Sequence, residues 1–237
     1  MIKNVHCLFE QSGTFKNEFK KMGYTAYDYD ILNDFNETDY QIDLYQEIEN
    51  AYSRERESIF DKFTSEDMLF AFFPCIRFEN QAILNYKGVN SGFKKWSEKQ
   101  KLEYDLQLHE ELHQNYELIT KLVLVCIDRN LRLIIENPYS TQHYLVRYWA
   151  KEPDLIIYDR RELGDYFVKP TMFYFINCKP QNNFIFEPRV VKPLKRVSHC
   201  NTVERSLISH EFANRFIREF VLTEGELNAL QNRSANQ

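Results

Sequence analysis

Short apolar runs that stop abruptly at a polar residue, separated by longer stretches with a helical repeat, constrain this chain most. Val5–Phe9, Tyr24–Ile31, Met68–Phe73, Leu131–Glu136, Leu155–Tyr158 and Met172–Ile176 have the length and make-up of strands. Between them, Phe15, Phe19 and Met22 recur at helical spacing up to Gly23, which reads as a C-terminal stop. Glu47–Phe63, Lys99–Asn130 and Val203–Leu222 carry further helical patterns. Strands alternating with helices predict an α/β domain with a mostly parallel sheet flanked by helices. In such sheets ligands bind outside the carboxyl ends of the strands, and Gly13, Asp30, Cys75 and Glu136 sit at those ends.

The 237 residues fit one domain, with 76–98 as a loop or insert and 178–200 as an irregular segment. There are only 6 glycines, so each is a candidate for a special backbone position. The 5 cysteines are odd in number and widely spaced with no CxxC, which argues against a disulfide framework and against a zinc ribbon. The N-terminal apolar run is too short for a signal peptide, and no stretch approaches the ~18 apolar residues of a membrane span. A reducing, cytoplasmic setting is expected. The net charge of −5 gives no global signal for nucleic acid, but it leaves room for a local basic cleft.

Four groups of residues carry possible chemistry. The Val5–Met22 strand–glycine–helix, with Asp30 closing the next strand, has the layout of a nucleotide or adenosyl site, although a turn glycine and a surface aspartate explain the same residues. Cys75, just past a buried strand and after Pro74, could present a nucleophilic thiol to a cleft; a small buried hydrophobe is the bland alternative, and the default for Cys7 and Cys126. Glu136, at the end of Leu131–Glu136, is a carboxylate that must be paired or used, or else belongs to an Asn137-Pro138 turn. His109-Glu110-Glu111-Leu112-His113 fits H-E-x-x-H, but its polar surroundings and the lack of a third ligand favour a solvated helix over a zinc hydrolase, so no metal is expected.

Read in chain order, LFEQSGTF, YDYD, QIDL, FFPC and IIENP resemble the DNA cytosine-5 methyltransferases, in particular their compact phage and prophage members. GDYFVKPTMFYFIN and RSLISHEFANRFIREFV extend the resemblance to about Val221. It implies a Rossmann-like class I methyltransferase fold that binds S-adenosylmethionine and methylates cytosine C5 in DNA. Carried over residue by residue, Phe9 packs near the adenine and the Gly13 backbone approaches the methionine end. Asp30 takes the ribose hydroxyls and Asp43 the adenine amine, while Pro74 precedes the nucleophile in the same pocket. Cys75 attacks C6 of a flipped-out cytosine, and Glu136 bonds its N3 edge.

The chain departs from the family at Gln11, Phe73, Ile76 and Lys169-Pro170-Thr171, the last replacing a pair of arginines. DNA contacts are expected from Arg77, Lys87, Lys94, Lys95 and Trp96, and from Arg189 and Arg196 in RVVKPLKR; solvated surface charge is the bland reading of both groups. The alternative function is a non-catalytic relative acting as a binding or regulatory protein, which the altered glycine loop favours and the retained Cys75 and Glu136 oppose.

Overall fold

The computed structural model describes residues 1–79, 83–187, 192–195 and 199–235. Arg189 and Arg196 lie outside these. Strands β1 (Asn4–Leu8), β2 (Thr25–Asp30), β3 (Tyr40–Gln41), β4 (Met68–Ala71), β5 (Arg132–Pro138), β6 (Leu155–Ile157) and β7 (Thr171–Ile176) form one sheet in the order β3-β2-β1-β4-β5-β7-β6. The pairings from β3 through β5 are parallel, and β7 runs antiparallel to both β5 and β6.

Both faces of the sheet are buried, so successive residues feed two separate cores. Leu133 and Ile135 of β5 and Tyr174 and Ile176 of β7 pack under α2 (Leu44–Ser53) and α4 (Glu98–Asp128). Ile134, Phe173 and Phe175, one residue out of step, pack with Phe15 and Phe19 of α1 (Thr14–Lys21) and Phe212 and Phe216 of α7 (His210–Phe216). The period of two across the pleat therefore appears in the sequence as a continuous apolar run. Shorter helices are α3 (Ile83–Tyr86), α5 (Tyr144–Tyr148) and α6 (Thr202–Ser206), and α8 (Glu224–Ala235) follows α7. No helix among the described residues is long and apolar enough to cross a membrane.

Two helical expectations are corrected. The pattern at Glu47–Phe63 is not one helix: α2 ends where Arg54 turns left-handed (φ 60°), and a short 3-10 turn follows at Ile59–Lys62. The polar stretch from Ser53 to Glu57 offers nothing to bury, and the Glu47 carboxylate draws the chain back by accepting from Ser58 Oγ at 2.9 Å and Ile59 N at 2.7 Å. Val203–Leu222 is likewise split. Leu207 leaves α6 in an extended conformation, Ser209 caps α7 by accepting from Phe212 N, and a π-helical turn spans Ile217–Val221.

Two charged pairs are buried in this apolar frame. Lys16 Nζ lies 3.0 Å from Asp28 Oδ2, joining α1 to β2 beneath Glu37 and Asp39. Arg160, fully buried between β6 and β7, pairs with Asp165, donates to Leu207 O at 3.2 Å and lies over the Phe212 ring.

Candidate active site at the strand ends

A cavity of about 520 Å³ opens at the carboxyl ends of β1, β2, β4 and β5. Phe9, Glu10 and Ser12 line it from the loop after β1, Asp30, Asp34 and Phe35 from the end of β2, Pro74 and Cys75 from the end of β4, and Glu136 and Pro138 from β5. Lys169, before β7, and Val203, Ser206, Leu207 and Ile208 close the far side. A parallel sheet generates this geometry by itself, because all its strand ends point to one edge. Another open cavity, of about 420 Å³, lies against α7, where Lys192 pairs with Glu211, Arg218 pairs with Glu187, and His210 Nδ1 lies 2.9 Å from Glu18 Oε1.

Of the expected residues, Phe9, Asp30, Pro74, Cys75 and Glu136 meet in this cavity. Phe9 holds a left-handed backbone (φ 60°), which is rare for a side chain of its size and is the kind of strain that gathers at binding sites. Its ring meets Phe73 edge-on at 5.2 Å. Asp30 is half-buried, and its Oδ1 accepts from Leu32 N at 2.8 Å. Burial pushes its carboxyl above the usual range. Gly13 does not line the cavity itself; it is the left-handed turn (φ 64°) that lets Ser12 and Thr14 do so. A Cβ there would lie 2.8 Å from Glu37 Oε2, so both the angle and the space call for glycine.

Asp43 lies apart from these residues. It is exposed and outside the cavity lining, and its Oδ1 caps α2 by accepting from Tyr45 N at 3.0 Å and Gln46 N at 3.3 Å. Helix-start amides without intrahelical partners take up this oxygen.

Cys75 and Glu136 belong to a charged cluster. The Cys75 thiol donates to Glu79 Oε1 at 3.3 Å. Burial and the neighbouring carboxylates Glu79 and Glu136 push its pKa up, while Lys169 pulls the other way. The Glu136 carboxyl is also pushed up by burial, against the opposing charges of Lys169 and Arg160. Asn137, fully buried, ties the two strand ends together: its Nδ2 donates to Phe73 O at 3.1 Å and to Glu136 O at 2.5 Å. Sequence reasoning missed Asn137 as a positioning group, missed Glu79 as the thiol's partner, and missed Glu10. Asn137 was within reach, because a buried amide after a strand-end carboxylate must find partners.

The expected DNA-contacting residues behave differently from one another. Arg77 is half-buried and its Nε donates to Glu111 Oε2 at 2.5 Å, so its charge is already paired. Lys94 and Lys95 are exposed beside a short turn at Ser91–Phe93. His109 and His113 sit on the outside of α4, with side chains 61% and 78% exposed. Their Nε2 atoms lie 3.6 Å from Asp105 and 3.9 Å from Glu117, each one turn away. No group of three metal-ligating side chains occurs among the described residues. Replacing both histidines with glutamine is expected to change stability by less than about 0.5 kcal/mol in urea titrations, with no effect of chelators on either protein.

A scan against protein-family models and a search of curated proteins match nothing for this chain.

Proposed function

We propose that this chain binds S-adenosylmethionine in the strand-end cavity and methylates cytosine C5 in DNA. The observation that carries the reading is the convergence of Phe9, Asp30, Cys75 and Glu136, drawn from four segments of the chain, on one cavity. A seven-stranded, mostly parallel sheet flanked by helices is compatible with the class I methyltransferase fold that the resemblance implies. The lining suits the ligand's charge: Glu10, Asp30, Asp34 and Glu136 face it against one cation, Lys169, and a sulfonium with an ammonium group is cationic. The fit is good at Asp30, a half-buried carboxylate on the cavity wall, and poorer at the start of α1, where Glu10 already occupies the amides.

S-adenosylmethionine, when bound, supplies the methyl group. The chain's own work is the rest. Phe9 offers a face for the adenine, and Asp30 accepts hydrogen bonds from the ribose hydroxyls. Cys75 Sγ passes its proton to Glu79 Oε1, 3.3 Å away, and bonds to C6 of an extruded cytosine. Glu136, with its carboxyl pushed toward the protonated form, donates to N3 and draws electron density from the ring as Sγ adds. After transfer a base removes the C5 proton, and the C6–Sγ bond breaks to return the thiolate.

Calorimetry with S-adenosylmethionine and its demethylated product tests the cofactor directly, and NAD should not compete. Asp30→Ala is expected to weaken binding by about 1–3 kcal/mol. Asp43→Ala should leave binding unchanged while costing roughly 1 kcal/mol of stability through the lost cap. No heat and no thermal shift from wild-type protein with either ligand would defeat the reading and favour the non-catalytic one, which the filled amides at α1 also support.

A further inference from the structure

Glu10 is an unusual occupant of a strand-to-helix loop. It is 5% exposed, yet it lines the cavity. Its Oε1 accepts from Phe15 N at 2.7 Å and its Oε2 from Lys16 N at 3.2 Å, so the chain's own carboxylate fills the first turn of α1. A free helix start of this kind ordinarily attracts phosphate or carboxylate groups, because its amides lack partners and the helix dipole is positive there. Here that corner is already taken, and by a negative charge. Ser12 and Thr14, whose hydroxyls bond to each other at 3.0 Å, complete its rim.

Resting on the adenosyl reading above, we propose that Glu10 sets the charge selectivity of this cavity: it closes the α1 corner to anionic groups and seats a cationic group at the end of a bound nucleoside. The geometry works through exclusion and attraction together. A ligand phosphate would have to displace Glu10 from two hydrogen bonds while approaching its charge, whereas an ammonium would meet a fixed, oriented carboxylate. Asp30 and Asp34, at and beyond the end of β2, add to the preference.

The titratable side chains acting on Glu10 are Cys7 on β1 and Asp28 on β2, while Lys16 on α1 bonds it through its backbone N–H and turns its ammonium to Asp28. Burial, assisted by Asp28 and opposed by the bonds from Phe15, Lys16 and Cys7, raises its carboxyl to about 7. The sign for binding follows from the charge of each ligand. A cation binds better to ionised Glu10, so its affinity rises with pH through the neutral range; an anion shows the opposite slope.

The experiment uses three adenosine compounds that carry a positive, no and a negative charge at the 5′ position: 5′-amino-5′-deoxyadenosine, adenosine and AMP. Calorimetry at pH 8 is expected to rank them in that order for the wild-type chain, with about tenfold or more between amine and AMP. Glu10→Gln keeps an acceptor for the α1 amides but removes the charge, and should collapse that ratio while leaving the affinity for adenosine unchanged. AMP binding as tightly as the amine, or a ratio that survives in Glu10→Gln, overturns the proposal. If none of the three binds either protein, the adenosyl reading fails, and inorganic phosphate then decides the point separately. Phosphate should raise the melting temperature of folded Glu10→Gln protein but not of wild type, and an equal response in both overturns the proposal.

Discussion

DNA of random sequence carrying 5-fluorocytosine is expected to form a denaturant-resistant adduct with this protein when S-adenosylmethionine is present. On the proposed reading Sγ of Cys75 would add to C6 and the methyl group would arrive at C5, and release would then require a C5 proton that fluorine has replaced. The adduct should appear as a shifted band on a denaturing gel. Cys75→Ser should abolish it, because a serine hydroxyl is not a comparable nucleophile at neutral pH. Glu136→Gln should slow it by about 10²–10⁴-fold without removing cofactor binding. Cys178→Ser should leave the band intact, since Cys178 lies beyond the end of β7 and donates weakly to Ile176 O at 3.3 Å, away from the cavity. Two groups set the pH dependence in opposite senses, because the protonated Glu136 that donates to N3 is lost as pH rises. Burial and the carboxylates Glu79 and Glu136 raise the Cys75 thiol, so the thiolate is scarce at neutral pH and adduct formation should accelerate as pH rises, but only while Glu136 keeps its proton. No band from protein that demonstrably binds both cofactor and DNA would mark a non-catalytic relative.

Asp165→Ala is expected to destabilise the fold by about 3–5 kcal/mol, visible as a large fall in the urea midpoint. Its removal strands the Arg160 guanidinium, which is fully buried and is left with the Leu207 carbonyl, the Phe212 ring and the more distant charge of Glu136. The cost comes from the uncompensated charge rather than from the pair's net contribution. A double replacement, Arg160→Met with Asp165→Leu, should therefore recover much of the loss. A fall of under about 1 kcal/mol for the single variant would show that water or a rearranged side chain reaches the guanidinium. The pair matters for the site as well as the fold: Leu207 lines the cavity, and the Arg160 charge acts on Glu136.

Strand positions and the edge on which the cavity forms were legible in the residues. Runs such as Met68–Phe73 and Leu131–Glu136 are too short and too apolar to be much else, and a parallel sheet sends their ends to a common edge. Cys75 and Glu136 could therefore be brought together on paper, and β4 and β5 are indeed neighbours, with Ala71 opposite Ile135. The helical stretches were less readable. Amphipathic spacing at Glu47–Phe63 and Val203–Leu222 continues through points where Arg54 turns left-handed and Leu207 extends, and only tertiary bonds explain those breaks. A carboxylate just before an apolar repeat has two uses, and the structure shows Asp43 in the nearer one, capping α2.

The amino-acid order by itself determined which residues stand at the ends of buried strands, because apolar periodicity and its interruption are properties of adjacent positions. It also carried the left-handed turn at Gly13, since a glycine between a strand and a helix serves that need. Only the tertiary structure decided which of those ends matter and how they are charged. Glu10 folds onto the amides of Phe15 and Lys16, Glu79 takes the Cys75 thiol, and Asn137 reaches across to Phe73. Lys169, more than thirty positions beyond Glu136, arrives beside both Cys75 and Glu136. Such partners are set by where chain segments cross in a low-dielectric interior, where the burial of each group fixes what it must bond to and which protonation state it prefers.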